Sequence, residues 1–169
     1  MRLSTKGRYA VTALIDLALH DKDGPVALTD IAQSQRISVS YLEQLFARLR
    51  KNELVEGMRG PGGGYRLAHP AENITIAQII AAVDEQIDMT RCAGRENCQD
   101  GEKCLTHELW VDLSKQLYEF LEGINLAQIV EWPTVREVAE RQETRRPRGL
   151  IRRRPSPEGS TSRQRRDNR

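Results

Sequence analysis

Apolar residues recur at helical spacing in short stretches of the first fifty residues. Residues 8–20 contain the first stretch, whose apolar positions are Val11, Leu14, Ile15, Ala18 and Leu19. A short second helix with Thr29 as its N-cap follows, and a third helix is predicted from about Ser40 to Asn52. The third helix has a polar, partly basic outer side and a buried stripe of Leu42, Leu45, Phe46 and Leu49. This arrangement is typical of a helix-turn-helix, whose second helix enters the major groove of DNA.

A β-hairpin with a loop made almost entirely of glycine is predicted next. Two strand-like segments, 54–59 and 65–67, flank the sequence GPGGG at 60–64. Such a loop can approach a sugar–phosphate surface closely while Arg59 enters the narrow minor groove, as in the wing of a winged helix. A phosphate-cradling nucleotide loop is the alternative. The lysine of the G-x-x-x-x-G-K-[ST] motif and a G-x-G-x-x-G fingerprint followed by a helix are both absent from the sequence.

Eight residues are candidate DNA contacts. They are Ser38, Ser40, Tyr41, Glu43 and Gln44 on the recognition helix, and Arg59, Gly60 and Gly62 in the wing. Ser40 and Glu43 also have a structural explanation, because their spacing is that of an S-x-x-E capping box. Simple solvation would explain Ser38 and Gln44. A carboxylate facing DNA is repelled by phosphate unless it accepts a hydrogen bond from a cytosine amine, so Glu43 is expected to act as a specificity filter.

The second half of the chain predicts three more helices. A short one begins near Ile76 and is capped by Thr75 or Asn73. A long helix over 108–123 has an apolar stripe of Leu109, Leu113, Leu117, Phe120 and Ile124, widened by Trp110 and Leu121. One neighbour cannot cover so wide a stripe, so this helix is expected to pack on its own winged helix and on a second copy of itself. Burial within one monomer is the alternative. A last helix over 125–132 is halted by Pro133.

All three cysteines of the chain lie within 13 residues. Cys92, Cys98 and Cys104 are followed by His107, in the spacing C-x5-C-x5-C-x2-H. The intervening residues are polar and include two glycines, so a flexible loop that can wrap around a metal centre is expected. A disulfide would leave one cysteine unpaired and would not require the histidine. Three free thiols without a ligand are the remaining alternative.

The spacing leaves two kinds of metal centre open. Three thiolates and one imidazole suit a tetrahedral zinc ion, but zinc sites usually use C-x2-4-C pairs. A [2Fe-2S] cluster needs four ligands divided between two irons, and loops with longer gaps can reach around it. The spacing therefore favours an iron–sulfur cluster over zinc without excluding zinc.

Composition and charge refine this picture. Of 169 residues, 38% are hydrophobic and 5% aromatic, which indicates a soluble, mainly helical protein and excludes a large multidomain enzyme. The longest apolar run, 79–83, is too short to span a membrane, and no A-x-A cleavage site follows the first helix, so a cytoplasmic protein without membrane contact is expected.

Charge divides the chain into three regions. Residues 1–70 carry 10 basic and 7 acidic side chains, residues 71–143 carry 6 and 15, and residues 144–169 carry 10 and 2. The net charges of +3, −9 and +8 indicate contact with a polyanion in the first region and a different role in the second. Together with the motifs above, they divide the chain into a DNA-binding domain at 1–70, a cluster-binding loop with dimerisation helices at 71–143, and a disordered arginine-rich segment at 144–169. That last segment is interpreted equally well as a nonspecific electrostatic arm on DNA or RNA and as a solubilising segment with no partner.

Three segments together resemble the IscR family of bacterial iron–sulfur cluster regulators. They are RLSTKGRYAVTALIDLA at 2–18, ISVSYLEQLFARLRKNELVEGMRGPGGGYRL at 37–67 and CAGRENCQDGEKCLTHELW at 92–110. The resemblance extends over about residues 1–130. It implies a winged-helix transcription factor that acts as a homodimer on palindromic promoter DNA. It also implies one [2Fe-2S] cluster per subunit, donated by the iron–sulfur assembly machinery, and control of the cluster assembly genes.

The resemblance assigns roles residue by residue. Its cluster ligands correspond to Cys92, Cys98, Cys104 and His107. Its DNA-contacting positions correspond to Ser40, Glu43, Gln44 and Arg59. The arginine-rich segment at 144–169 departs from the family, so the resemblance gives it no role.

Three other functions fit parts of the sequence. A nitric-oxide-sensing regulator of the same superfamily would share the winged helix and three cysteines but would lack a counterpart of His107. A zinc-stabilised DNA-binding protein would sense nothing, and a small electron-transfer iron–sulfur protein would not need a helix-turn-helix. The sequence contains no HExxH motif and no Ser/His/Asp set, so no enzymatic activity is expected.

Overall fold

A computed structural model describes residues 4–143, which form seven α-helices and one two-stranded antiparallel sheet. The helices before the sheet are α1 (Thr5–His20), α2 (Leu28–Gln35) and α3 (Val39–Lys51). The strands are β1 (Val55–Met58) and β2 (Gly64–Leu67). The later helices are α4 (Ile76–Ala82), α5 (His107–Glu122), α6 (Leu126–Val130) and α7 (Pro133–Glu143). The predicted class, mainly helical with a helix-turn-helix and a small hairpin, is confirmed. The arginine-rich segment lies outside the described residues.

The core lies where α1 crosses the helix-turn-helix and two of the later helices. α1 packs against α2, α3, α4 and α6. Leu14 of α1, Phe46 of α3, Ile79 of α4 and Leu126 of α6 are all fully buried there. The winged helix therefore shares one hydrophobic core with α4, which precedes the cysteine loop, and with α6. None of the helices within residues 4–143 is long and apolar enough to cross a membrane.

The start of α2 differs from the sequence prediction. α2 begins at Leu28 and is preceded by Ala27, which makes no side-chain cap, so the prediction of Thr29 as N-cap is wrong. The two backbone hydrogen bonds between Val26 and Tyr65, at 2.9 and 2.8 Å, hold the chain against β2 until just before the helix. The helix therefore starts where this pairing ends, two residues earlier than Thr29 as N-cap would have placed it.

A seventh helix, α7, was not predicted. Pro133 does follow the end of α6, as expected, but it is also the first residue of α7. Proline is favoured at the first position of a helix because its missing N–H would have no intrahelical partner there. The same residue thus separates one helix from the next.

Two short segments of similar sequence meet beside α1. They are ITIAQII at 74–80 and INLAQIV at 124–130. Thr75 and Asn125 form an antiparallel β-bridge, and each also caps its own helix through a reciprocal capping box with the glutamine three residues later. This double cap fastens the C-terminal end of α5 to α4, and so to the winged helix.

The hairpin leaves no space for a side chain at Gly64. A Cβ atom there would lie 2.4 Å from the Val26 carbonyl oxygen and 2.9 Å from the Ala27 nitrogen, both in the backbone. We expect Gly64→Ala to lower the free energy of unfolding by about 2–3 kcal/mol, measured by urea denaturation. Gly57→Ala is the matched control, since its Cβ would be 3.7 Å from the Tyr65 ring. Equal stability of the two variants would contradict the prediction.

Candidate metal centre and DNA interface

The cysteine loop is irregular, as its composition predicts. Residues 92–104 form successive turns, with left-handed backbone at Ala93, Glu96 and Asp100 as well as at Gly94 and Gly101. These turns fold the loop back onto the first residue of α5, which is His107.

Three of the four predicted ligands converge. The Sγ atoms of Cys92 and Cys98 and a ring nitrogen of His107 all lie within 4.8 Å of one another. Each sulfur is 3.5 Å from His107 Nδ1. Cys92 is 7% exposed and His107 is 3% exposed, so the group is largely shielded from water. No other set of three potential ligands comes this close within the part of the chain that the structure describes.

Cys104 lies next to this group but outside the set of mutual contacts. Its backbone N–H donates to Cys98 Sγ at 3.1 Å, and its own sulfur is 3.7 Å from Thr106 Oγ1. Cys98, Cys104 and His107 all line one cavity of about 480 Å³. The fourth predicted ligand is therefore placed at the same cavity, with its sulfur turned towards Thr106.

The thiols differ in their acidity. Burial raises the pKa of Cys92. The hydrogen bond with Thr90, other hydrogen bonds nearby and the charge of His107 outweigh burial, and they lower the pKa below that of an ordinary thiol, to about 7. For Cys98, the hydrogen bond from the Cys104 backbone lowers the pKa, but burial and the neighbouring thiols outweigh it and leave the pKa raised. The pKa of Cys104 is lowered, first by its hydrogen bond with Cys98 and then by Thr106. Thiolate, the form that binds metals, therefore develops first at the two ends of the loop.

Residues to which the sequence analysis gave no role at the metal centre support the loop. Trp110 Nε1 donates to Thr106 Oγ1 at 3.1 Å, which fixes the indole beside the cavity. Lys103 Nζ lies 3.0 Å from Glu96 and 2.9 Å from Glu108, and so ties the loop to the first turn of α5. The i, i+4 spacing of Thr106 and Trp110 was the available signal. No sequence signal predicts the ion pairs of Lys103 with Glu96 and Glu108, because they depend on how the loop folds.

The donor set fits a metal centre. Two sulfurs and one imidazole converge, a third sulfur lies at the adjoining cavity, and the carboxylates of Glu96 and Glu108 are engaged by Lys103. Soft thiolate and borderline imidazole donors suit both an iron–sulfur cluster and zinc.

The N-terminus of the recognition helix α3 differs from the predicted capping box. Ser38 is the N-cap, and its Oγ accepts a hydrogen bond from the Tyr41 N–H at 3.3 Å. The interpretation of Ser40 and Glu43 as a capping box is therefore wrong, because Ser40 already lies inside the first turn. Ser40, Glu43 and Gln44 are all exposed on the outer side of α3. Capping no longer explains Ser40 and Glu43, which strengthens their interpretation as DNA contacts.

The remaining predicted contacts are also at the surface. Tyr41 is half-buried, with its ring 5.9 Å from that of Tyr9 in an edge-to-face arrangement. Arg59, Gly60 and Gly62 are exposed at the tip of the hairpin, where φ values of +109° and +75° require the two glycines. Strand β2 of the hairpin is held on α3 by the Phe46 and Tyr65 rings, whose centroids are 4.8 Å apart. Contact of these residues with DNA stays a prediction.

Residues 4–143 cover the apolar stripe of α5 only in part, since Leu113 and Leu117 are half-buried and its two ends on α5 are exposed. Leu109 is 60% exposed and Phe120 is 64% exposed, and Leu105 just before the helix is fully exposed. Trp110 and Leu121, on another side of the helix, are partly buried. Burial of the whole stripe within one monomer is therefore not found among residues 4–143.

Comparison with known proteins gives the family. Residues 3–132 match the Rrf2 family, described as an iron-dependent transcriptional regulator. The chain belongs to the Rrf2 family. Two curated relatives carry the name HTH-type transcriptional regulator IscR. The protein from Yersinia enterocolitica is 58% identical over 148 residues, which are 86% of this chain and 90% of the relative. That from Pectobacterium atrosepticum is 58% identical over 144 residues, 85% of this chain and 88% of the relative.

Solved structures of Rrf2-family regulators have the same fold. The IscR of T. potens superposes with a TM-score of 0.65 at 37% identity, over 78% of this chain and 87% of that one. CymR, the global cysteine regulator of B. subtilis, superposes with a TM-score of 0.67 at 34% identity, over 77% and 96% of the two chains. These homologues are named as transcriptional regulators and not as enzymes, which confirms the expectation of a non-enzymatic regulator of the IscR type.

Proposed function

We propose that this Rrf2-family chain is a homodimeric, DNA-binding regulator that senses iron–sulfur status through one [2Fe-2S] cluster per subunit. It controls the genes of iron–sulfur cluster assembly, as the resemblance to the IscR family implies. The observation that carries the proposal is the convergence of Cys92, Cys98 and His107 at the first residue of α5, with Cys104 at the adjoining cavity.

The chemistry of the four ligands suits a sensor. Cys92, Cys98, Cys104 and His107 would hold the cluster, which supplies a one-electron redox centre when it is bound. Imidazole is neutral and can be protonated, so His107 holds iron less firmly than a fourth thiolate would. Occupancy then follows the supply from the iron–sulfur assembly machinery, which we propose as the donor in the cytoplasm.

A short path connects the cysteine loop to the recognition helix. Seven residues before Cys92, the Glu85 carboxylate accepts hydrogen bonds from the Ser4 N–H at 2.5 Å and the Gly7 N–H at 2.7 Å, at the start of α1. The adjacent Asp84 forms an ion pair with Arg48 of α3. Ordering of the loop by a cluster would therefore act on both α1 and α3, in addition to α5.

The exposed stripe of α5 supports the homodimer. Its apolar residues are the ones predicted to meet a second copy, and burying them would remove large apolar side chains from water. A two-fold axis through this helix would present two recognition helices, which matches a palindromic DNA site.

Metal analysis of chain purified without oxygen tests the proposal. Iron and acid-labile sulfide at about two atoms each per chain, with visible charge-transfer absorption, are expected for a [2Fe-2S] cluster. About four of each would instead favour the nitric-oxide-sensing type of regulator. Colourless protein with about one zinc per chain would overturn the sensing role and leave a zinc-stabilised DNA-binding protein.

Arg59→Ala is expected to weaken DNA binding. Arg59 is exposed at the wing. The logarithm of the DNA-binding constant falls as the logarithm of the salt concentration rises, and each lost phosphate contact makes this slope less steep by about 0.9, or by about 1.8 for the two wings of a dimer. The measurement is fluorescence anisotropy on a duplex that the chain selects from random sequence. Arg136→Ala removes an equal charge from α7 and serves as the control. Equal slopes for Arg59→Ala and the unmodified chain would mean that Arg59 contacts no phosphate.

A further inference from the structure

The C-terminal end of α7 is fastened beside the turn of the helix-turn-helix. Gln35, the last residue of α2, donates to Gln142 Oε1 at 2.9 Å, and Gln142 donates back to Gln35 Oε1 at 3.3 Å. The next residue, Glu143, accepts a hydrogen bond from His20 Nε2 at 2.5 Å, at the end of α1. Two consecutive residues of α7 are thus held by two different helices of the winged helix.

This anchor lies close to the end of α3 that carries the predicted DNA contacts. Only Arg36 and Ile37 separate Gln35 from Ser38, the N-cap of α3, and three residues of chain span at most about 11 Å. In a helix-turn-helix, the N-terminal residues of the second helix contact the base edges. The chain therefore leaves α7 next to the surface on which the duplex would lie.

The sequence that continues from this anchor is strongly basic. Residues 144–169 contain ten arginines and two acidic residues, a net charge of +8. Their 26 residues can span at most about 90 Å, which exceeds one helical turn of DNA at about 34 Å. Phosphates on either side of the site read by α3 are consequently within reach of these arginines.

We propose that α7 directs the arginine-rich segment, residues 144–169, onto the phosphates of duplex DNA that flank the site read by α3. The proposal rests on the DNA binding proposed above. It adds a second, sequence-independent contact zone to the two that the recognition helix and the wing supply. Because arginine neutralises phosphate and releases counterions, this zone raises affinity on long DNA without changing which site is chosen.

The full-length chain can be tested by charge replacement without altering its length. In the first variant, all ten arginines of residues 144–169 become glutamine. Affinity is measured by anisotropy, as a function of salt, on two duplexes that share one site selected from random sequence. One duplex ends at the boundary of the hydroxyl-radical footprint that this variant gives, and the other extends well beyond it on both sides.

The expected result depends on the length of the duplex. On the long duplex, the glutamine variant binds at least about tenfold more weakly, and its salt slope is smaller by about 3.6 if each protomer loses two phosphate contacts. On the short duplex the two proteins bind alike. The unmodified chain also protects backbone positions outside the shared footprint, and the glutamine variant does not.

A second variant tests the anchor itself. Gln142→Ala combined with Glu143→Ala removes both contacts of α7 but retains all ten arginines, and it should lose part of the flanking protection. Glu140→Gln, exposed on the same helix, makes the same change in charge and is the matched control. Unchanged protection in the anchor variant would refute the directing role of α7.

Other outcomes overturn the proposal as a whole. Equal affinities on the long duplex, or equal losses on both duplexes, would show that the arginines do not contact flanking DNA. Stronger binding by the glutamine variant would show that the segment instead covers the acidic region of its own chain. If neither the unmodified chain nor the glutamine variant selected a DNA site, the proposed DNA-binding function itself would be refuted. If both proteins bind the site, that function is supported whatever the arginines do.

Discussion

Cys92→Ala is expected to abolish the iron and acid-labile sulfide of the anaerobically purified chain, from about two atoms of each to nearly none. Cys92 contributes one of the three donor atoms that converge within 4.8 Å, and it is the most buried of the cysteines. Its methyl replacement offers no electron pair, and a cluster with one open iron coordination site in a loop of turns is readily lost. The visible charge-transfer absorption should disappear together with the iron.

The fold should survive this substitution, because Cys92 lies outside the hydrophobic cluster around α1. Far-ultraviolet circular dichroism should therefore show unchanged helix content. Asn97→Ala, exposed in the same loop, is the matched control and should retain full iron content. A Cys92→Ala protein with the iron and sulfide of the unmodified chain would remove Cys92 from the ligand set.

Phe120→Glu is expected to convert the chain from a dimer to a monomer. Phe120 is 64% exposed in the single chain, and two-fold symmetry would place two copies of each substituted residue in the interface. Loss of apolar burial and desolvation of two carboxylates should cost about 4 kcal/mol, or about a thousandfold in the dissociation constant. Sedimentation velocity over a concentration series measures this change.

Lys115→Gln is the control for Phe120→Glu. It makes the same change of one charge unit on α5, at a position about 140° around the helix from Phe120. It should remain dimeric. A dimer of undiminished stability with Phe120→Glu would mean that this face of α5 meets no second copy.

Much of the fold was predictable because its signals are local. The apolar periodicity of α1, α3 and α5 identified these helices to within a few residues. The glycine run located the hairpin loop, and Thr75, one of the two caps considered for α4, is the one that the structure uses. The four candidate ligands could be proposed for a different reason: soft donors crowded into sixteen residues have few structural uses.

The errors occurred where one part of the chain constrains another. Thr29 failed as an N-cap because Val26 pairs with Tyr65, which is 39 residues away in sequence. α7 was not predicted because its charged sequence has only a weak apolar stripe. The helix is stabilised by its contacts with α2 and α6, which the local sequence does not reveal. Ser40 is the exception. The S-x-x-E spacing pointed to Ser40, whereas α3 begins at Val39 and is capped by Ser38.

Sequence alone determined six of the seven described helices, the glycine-rich wing and the four candidate ligands, because periodicity, turn chemistry and donor type are properties of neighbouring residues. Packing decided how these parts face one another. It determined that Cys92, Cys98 and His107 converge while Cys104 turns towards Thr106. It also left Phe120 uncovered and seated Gln142 on Gln35, 107 residues away. Contacts over such separations depend on how the whole core closes around α1, and no local pattern encodes that.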